Sequence, residues 1–418
     1  MFDSLFCFVW NLSPVFTSLI LSLMVLFAQQ PIKMTTKLET HPDRLIGEEY
    51  LFLVAEEKAN LKLIKEPVYQ STNPRYKKVL IGNSPERETV AVVVDEAEGK
   101  APRVYVDANN NGDLTDDANP DWNRDEYGVL HKDLTIKATF VVNAKPHAIE
   151  LPYRLLYFSR VEQEQQRVAL RPRFDRSGVL ALGGKEYNVI LHTSNKRGLY
   201  SDPKEVTLGV DRNLDGKVDG SRLSGEIFSG ADPFNIAGES YLIKGISELG
   251  ETVSIEISPT KVAPKEHVVV GERAPDFEFQ TLEGRRLKLS DFRGRVLMLD
   301  FMATWCGPCI AALPETKKLH DQYERSKFEI ISISLDGGDT SNATRGDLEE
   351  FARKHQMNWP LFYDGGGWAN IAAKKYNVET LPVHLIIDQD GTIRLIGRSG
   401  GDEETERVKA TVARLIRE

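Results

Sequence analysis

At 418 residues and 47.0 kDa the chain is longer than one ordinary hydrophobic core organises, so two or three domains are expected. A formal charge of -9 and a pI near 5.6 exclude a nucleic-acid-binding role, which needs a basic stripe absent here. Three cysteines, Cys7, Cys306 and Cys309, are too few for a disulfide framework, and only the last two are close enough to pair locally.

The chain begins with MFDSLFCFVWNLSPVFTSLILSLMVLFAQQ, uncharged over residues 4–30. Its apolar run 15–27 has the length of a signal-peptide core, and Ala28 is a small residue suited to cleavage. Residues 1–30 therefore read as a signal peptide or membrane anchor, and the protein as exported, periplasmic or membrane-tethered facing outward. Asp3 stands where Lys or Arg is usual, while Lys33 and Lys37 lie on the far side, against the positive-inside rule. An uncleaved anchor, or a true start elsewhere and a cytoplasmic protein, stays open.

Residues 41–262 read as a mainly-β module, of one lobe or two. Runs such as 89-TVAVVVDE, 134-LTIKATFVVNA and 206-VTLGVD cluster β-branched and aromatic residues between Asn, Gly, Asp and Pro turns. Two acidic loops stand out, 104-VYVDANNNGDLTDD and 208-LGVDRNLDGKVDG, both of the form D-x-N-x-[ND]-G and both after a short apolar lead, which suggests an internal duplication. Alternating oxygen side chains around a glycine turn suit Ca²⁺. The candidate ligands are Asp107, Asn109, Asn111, Asp113 and Asp116 in the first loop, and Asp211, Asn213, Asp215 and Asp219 with the Lys217 carbonyl in the second. Neither loop is an EF-hand, because position twelve is Ala118 or Arg222 rather than Glu, and the flanks read as strands. A hairpin turn with Asx side chains and a glycine at positive φ accounts for the same residues, and both readings stand.

Pro259, Pro264 and Pro275 mark a change of character, and residues 266–418 alternate strand and helix patterns. An apolar strand at 295–303 leads into a helix from 308, a second buried strand follows at 328–336, and charged helices are expected near 345–356 and 368–376. The stretch 383-VHLIIDQDGTIRLIG reads as two strands joined by an Asp-Gly turn, before a helix over 402–418. This alternation predicts an α/β sheet covered by helices. The fold class is thus multidomain, a mainly-β region followed by an α/β domain.

Cys306 and Cys309 lie in 300-DFMATWCGPC-309, at the junction of strand and helix. A zinc site needs about four ligands and no second CxxC supplies the rest. A purely structural disulfide across two residues closes too small a loop to stabilise much. Redox chemistry remains. Cys306 faces the unpaired N–H groups and positive end of the helix, which favour its thiolate as nucleophile, and Cys309, one turn in, is placed to resolve a mixed disulfide. The redox work needs no cofactor beyond the Cys306–Cys309 pair.

The order 274-APDFEFQTLEG, 287-LKLSDFRGRVLMLDFMATWCGPC, Pro314 and 376-YNVETLPVHLIIDQDGTI resembles the thioredoxin-fold redoxins of the TlpA/ResA type, over residues 271–395. The resemblance implies a thiol-disulfide oxidoreductase, with Trp305 as the aromatic beside the cysteines and Pro382 as a cis-proline that helps present the client. Asp300 stands where thioredoxin itself has a buried acid that relays a proton to the resolving cysteine, and where the TlpA group more often has an amide. The likeness to thioredoxin implies that Asp300 moves a proton for Cys309, a role suited to a carboxylate that an apolar strand encloses. A carboxylate satisfied by a neighbouring donor, with no redox role, is the alternative. The opening APDF is shared with peroxiredoxins, but their P-x-x-x-T-x-x-C setting is missing: Thr304 is at the wrong offset and no proline precedes it. His320 is expected to be solvated on its charged helix, and His384 to pack. The Gly-Pro dipeptide inside CGPC is the one found in thioredoxin, and that resemblance favours reduction of protein disulfides, with a membrane partner as electron donor if the chain is exported. The alternative is a calcium-stabilised β binding module that targets the redoxin domain to one partner.

Overall fold

The computed structural model describes residues 31–40, 50–85, 89–117, 121–125, 128–159, 167–398 and 402–418. The leader at 1–30 and Ala118 lie outside them. Among the described residues no helix is long and apolar enough to cross a membrane.

The chain divides into two compact units, one of residues up to Val218 with Phe228–Ala263, the other of Asp219–Ile227 with Pro264–Glu418. The first is built of sheets around two apolar cores. One core gathers Val79, Val92, Phe140, Tyr153 and Leu170, and the other Leu191, Leu208, Phe234 and Ile255. Strand Ile32–Thr40 pairs through 36–40 with Phe174–Leu182 and through 32–35 with Thr252–Ile257, and so sits in the middle of an eight-stranded sheet. The unbroken apolar run of Thr89–Asp95 is explained by burial on both faces, with Val90, Val92 and Val94 in the first core and Val93 packed with Tyr105 and Leu114 behind.

The second unit is centred on a five-stranded sheet in the order Leu361–Phe362, Phe328–Ser334, Val296–Met302, Val383–Ile387, Ile393–Gly397. The first three run parallel, Val383–Ile387 runs antiparallel to them, and Ile393–Gly397 runs antiparallel to Val383–Ile387. Successive residues of Val296–Met302 face opposite sides, so Leu297, Leu299 and Phe301 join one core with Tyr376, while Met298 joins another with Leu313, Leu319 and Val408. Helices Gly307–Gln322, Arg345–Lys354, Ile371–Lys375 and Asp402–Arg417 match the expected positions within a few residues. The helix Arg345–Lys354 starts where Thr344 and Asp347 form a capping box.

A boundary drawn at one point of the sequence has no place for Asp219–Ile227. Leu223 is the cause: it is 2% exposed in the core of the second unit, its carbonyl accepts from Val268 N at 3.1 Å and Asn377 Nδ2 at 2.9 Å, and Arg222 pairs with Glu379 at 2.7 Å.

Candidate active site

The strand Val296–Met302 ends beside the helix Gly307–Gln322, and the turn between them carries the cysteines. Cys306 is the helix N-cap with extended backbone, its Sγ accepting from Cys309 N at 3.2 Å, and Pro308 occupies the first turn, where no N–H is required. Cys306 and Cys309 form a disulfide, with Cα atoms 5.2 Å apart. Both are buried in a small cluster with Met302 and Ala303, against which Leu381 and Phe351 pack. The Leu381–Pro382 bond is cis, and Leu381, just before the strand Val383–Ile387, packs against the disulfide cluster. Trp305 remains 44% exposed and meets Trp368 edge to face at 6.3 Å, an exposed apolar shoulder next to Cys306 in the chain.

Asp300 is buried on the face of the sheet that the cysteine helix covers. Its neighbours on that face, Met298 and Met302, pack respectively with Leu313 and Leu319 and with the two cysteines. Ser332 Oγ donates to Asp300 Oδ2 at 2.8 Å and itself accepts from Trp359 Nε1 at 2.9 Å. Across the register from Asp300 stands His384, with Nδ1 3.0 Å from Asp300 Oδ1. Packing alone, the expected role of His384, is therefore incomplete. The expectation for His320 is overturned: it is 4% exposed, its ring lies 4.9 Å from that of Trp359, and its Nε2 is 3.2 Å from Glu329 Oε1. The helix period held the signal, since Cys309, Leu313, Thr316 and His320 form one buried stripe.

Asp336 was not singled out by sequence. It is fully buried and holds the turn that leads to Cys306: Thr304 donates to it through N at 2.9 Å and through Oγ1 at 2.6 Å, and Ser334 Oγ donates at 2.7 Å. The Asp-Gly-Gly that follows the strand reads locally as a turn, which concealed this role.

In the acidic loops the carboxylates are answered by the loops' own amides. Asp107 accepts from Asn111 N at 2.9 Å and Gly112 N at 3.0 Å; Asp211 accepts from Asp215 N at 3.1 Å and Gly216 N at 3.0 Å. Asn109 and Asn213 take the same two amides in turn, Asn111 N and Asp215 N at 3.0 and 3.1 Å. Gly112 and Gly216 have φ of 84° and 91°, which favours glycine there. Asn111 Oδ1 accepts from Asp113 N, Asp215 Oδ1 from Lys217 N, Asp113 binds Thr115 and Lys65, and Asp116 accepts from the Asn109 and Asn111 amides. Asp219, in the second unit, accepts from Ser221 N at 2.8 Å. Among the described residues no group of three or more His, Cys, Asp or Glu side chains is arranged to hold a metal. Asp117, which the sequence reading passed over for Asp116, keeps Oδ2 buried without a hydrogen bond, and burial pushes its carboxyl up to about 6.

Residues 270–396 match the family model described as the AhpC/TSA family. The thiol-disulfide oxidoreductase ResA of Geobacillus thermodenitrificans (strain NG80-2) is 30% identical over 151 residues, which are 36% of this chain and 79% of that protein. ResA of Bacillus thuringiensis subsp. konkukian (strain 97-27) is 29% identical over 36% of this chain and 81% of its own. A solved thiol-disulfide oxidoreductase from Bacteroides fragilis NCTC 9343 is 30% identical over 34% of this chain and 99% of its own, with a TM-score of 0.29. With a cysteine pair at a strand-to-helix turn and this likeness across most of the length of its relatives, the chain belongs, through its second unit, to the family of the ResA-type thiol-disulfide oxidoreductases.

Proposed function

We propose that the protein is an exported reductant of protein disulfides, with Asp219–Ile227 and Pro264–Glu418 as the redox unit and the sheets before and around them as a β module. Cys306 attacks a client disulfide and forms a mixed disulfide; Cys309 then attacks Cys306 Sγ, releasing the client's second thiol and closing the Cys306–Cys309 bond. Two electrons pass to the client, and a membrane partner returns them on the outward face. Asp300 takes the proton that Cys309 gives up, Trp305 offers the client an apolar contact, and Pro382 helps present it. The observation that carries this reading is the placement of Cys306 at a helix N-cap, where unpaired N–H groups favour the thiolate, with Cys309 one turn deeper in the same cluster. A peroxidase reading lacks its cysteine setting. Insulin reduction with dithiothreitol as donor tests the proposal: wild type should accelerate precipitation and Cys306→Ser should fall to the uncatalysed rate, whereas equal rates would overturn it.

A second reading adds calcium to the β module, which would then fix the surface that selects a partner. What supports it is Asp117, whose buried, unpartnered oxygen lies among Asp107 and Asp116. The amide bonds already made by Asp107 limit that fit to a weak structural ion. Calorimetric titration of the full chain with Ca²⁺ should give a millimolar or tighter site that Asp117→Asn removes; no heat at millimolar Ca²⁺ would discard it.

A further inference from the structure

We propose that His384 is a positioning residue that carries the proton of Cys309 between Asp300 and a small solvent cavity beneath the cysteine helix. The proposal rests on the role given above to Asp300, and extends it to where the proton goes.

Three observations support it. First, Asp300 and His384 are opposite each other on adjacent strands, 4% and 5% exposed, with Oδ1 and Nδ1 3.0 Å apart. His384 Nδ1 is buried and makes no hydrogen bond, so the 3.0 Å approach to Asp300 Oδ1 is a close ion-pair contact that a small turn of the ring would align for proton exchange. An imidazole with no other claim on that nitrogen is free to exchange a proton with the carboxyl it faces. Second, the remaining oxygen of Asp300 is held by Ser332, which Trp359 fixes in turn, so the carboxyl is oriented rather than mobile. Third, His384 lines a cavity of about 30 Å³ bounded by Met298, Thr316, Leu319, Glu404 and Val408, room for about one or two waters. The cavity lies between the cysteine helix and the last helix.

Three of the elements around this pair bring charged or titratable groups, while the strand Ile393–Gly397 places Gly397 opposite His384. The strand Phe328–Ser334 contributes Ser332 and, further along, Glu329, which faces His320 on the cysteine helix. The cysteine helix also brings Glu315 to the cavity rim, tied to Lys318 and Lys409. The last helix brings Lys409 and Glu404, the latter 3.4 Å from Arg407. The cavity mouth therefore has both acids and amines to relay a proton to bulk water.

The cycle balances. When Cys309 resolves the mixed disulfide, its thiol proton passes to the Asp300 carboxylate, then to His384 Nδ1, while the ring releases its Nε2 proton to water in the cavity. When the partner reduces the disulfide again, water protonates Nε2, the Nδ1 proton returns to Asp300, and Asp300 protonates Cys309. Each half-cycle restores the ring tautomer that the other needs.

The test uses the reduced full chain and DTNB, which releases one TNB when Cys306 attacks and a second when Cys309 resolves. Stopped-flow rates are read for wild type, His384→Asn, His384→Gln, Asp300→Asn and the double variant Asp300→Asn with His384→Asn, from pH 5.5 to 8.5. The expected result is a second release slowed about tenfold or more relative to the first in either His384 variant, with an altered pH profile, and no further slowing when His384→Asn is added to Asp300→Asn. A purely structural role would slow both releases alike, or add to the Asp300→Asn effect, and either result would overturn the proposal. A normal ratio in both His384 variants while Asp300→Asn is slow removes His384 alone; a normal ratio in Asp300→Asn removes the role of Asp300 and this inference together.

Discussion

Asp336 in the redox unit and Asp107 in the β unit are both buried carboxylates just past the end of a strand, and each accepts more than one hydrogen bond. Their donors differ. Asp107 is answered by amides four and five residues further on, within one loop, so it shapes only its own turn. Asp336 is answered by Thr304, 32 residues earlier, and so ties the end of one strand to the turn that presents Cys306. The same side chain thus serves either as local punctuation or as a brace for a reactive turn, according to how far its partners lie along the chain.

Substitution of each acid sharpens that contrast. Asp336→Ala should have the largest effect, about 4 kcal/mol of unfolding free energy, because Thr304 N, Thr304 Oγ1 and Ser334 Oγ are left without an acceptor in a buried site. Insulin reduction at a temperature where the variant is still folded should fall as well, since the turn carrying Cys306 loses its brace. Retained activity with lowered stability would separate the brace from the chemistry. Asp107→Ala and Asp211→Ala should each cost about 2 kcal/mol by urea titration, alike because their bonding is alike. A difference well above that between the two loops would show that the surroundings, rather than the shared turn, set the cost.

The smallest effect is expected at a buried cation of the β unit. Lys132 donates to Val104 O at 3.1 Å and lies 4.7 Å over the Trp122 ring, yet burial pushes its ammonium down to about 8. For an amine lowered on folding, the neutral form is the stable one, so its contribution is complete above the ordinary value of 10.5 and is lost as pH falls toward about 8. Unfolding free energy should therefore rise from pH 8 to 10.5 in wild type and stay flatter in Lys132→Met. At pH 7 Lys132→Met should be more stable by about 1 kcal/mol, after discounting for partial solvation and the lost bond to Val104. A stability profile of the same slope in both proteins would contradict this.

Much of the redox unit was legible because its signals are local. Period and capping place the helices and the Asp390–Gly391 turn joins the last two strands, while in the β unit the D-x-N-x-[ND]-G loops announce their Asx bonding within six residues. The pairing of Asp300 with His384 was not legible, because it depends on the register of Val296–Met302 against Val383–Ile387, which no local pattern specifies. Asp336 escaped for the same reason. His320 was misjudged from the polarity of its sequence neighbours, although its spacing from Cys309, Leu313 and Thr316 placed it inward.

Leu223 carries a consequence for the order of synthesis. The ribosome delivers it well before Val268 and Tyr376, the core residues it joins, so the piece 219–227 must wait for the rest of its unit to emerge. A redoxin fragment cut to begin at Pro264 would leave the Leu223 position vacant and Asn377 Nδ2 short of one acceptor. The redox unit is therefore not cut cleanly from the chain at Pro264, and a fragment that keeps its packing needs the nine residues Asp219–Ile227 as well.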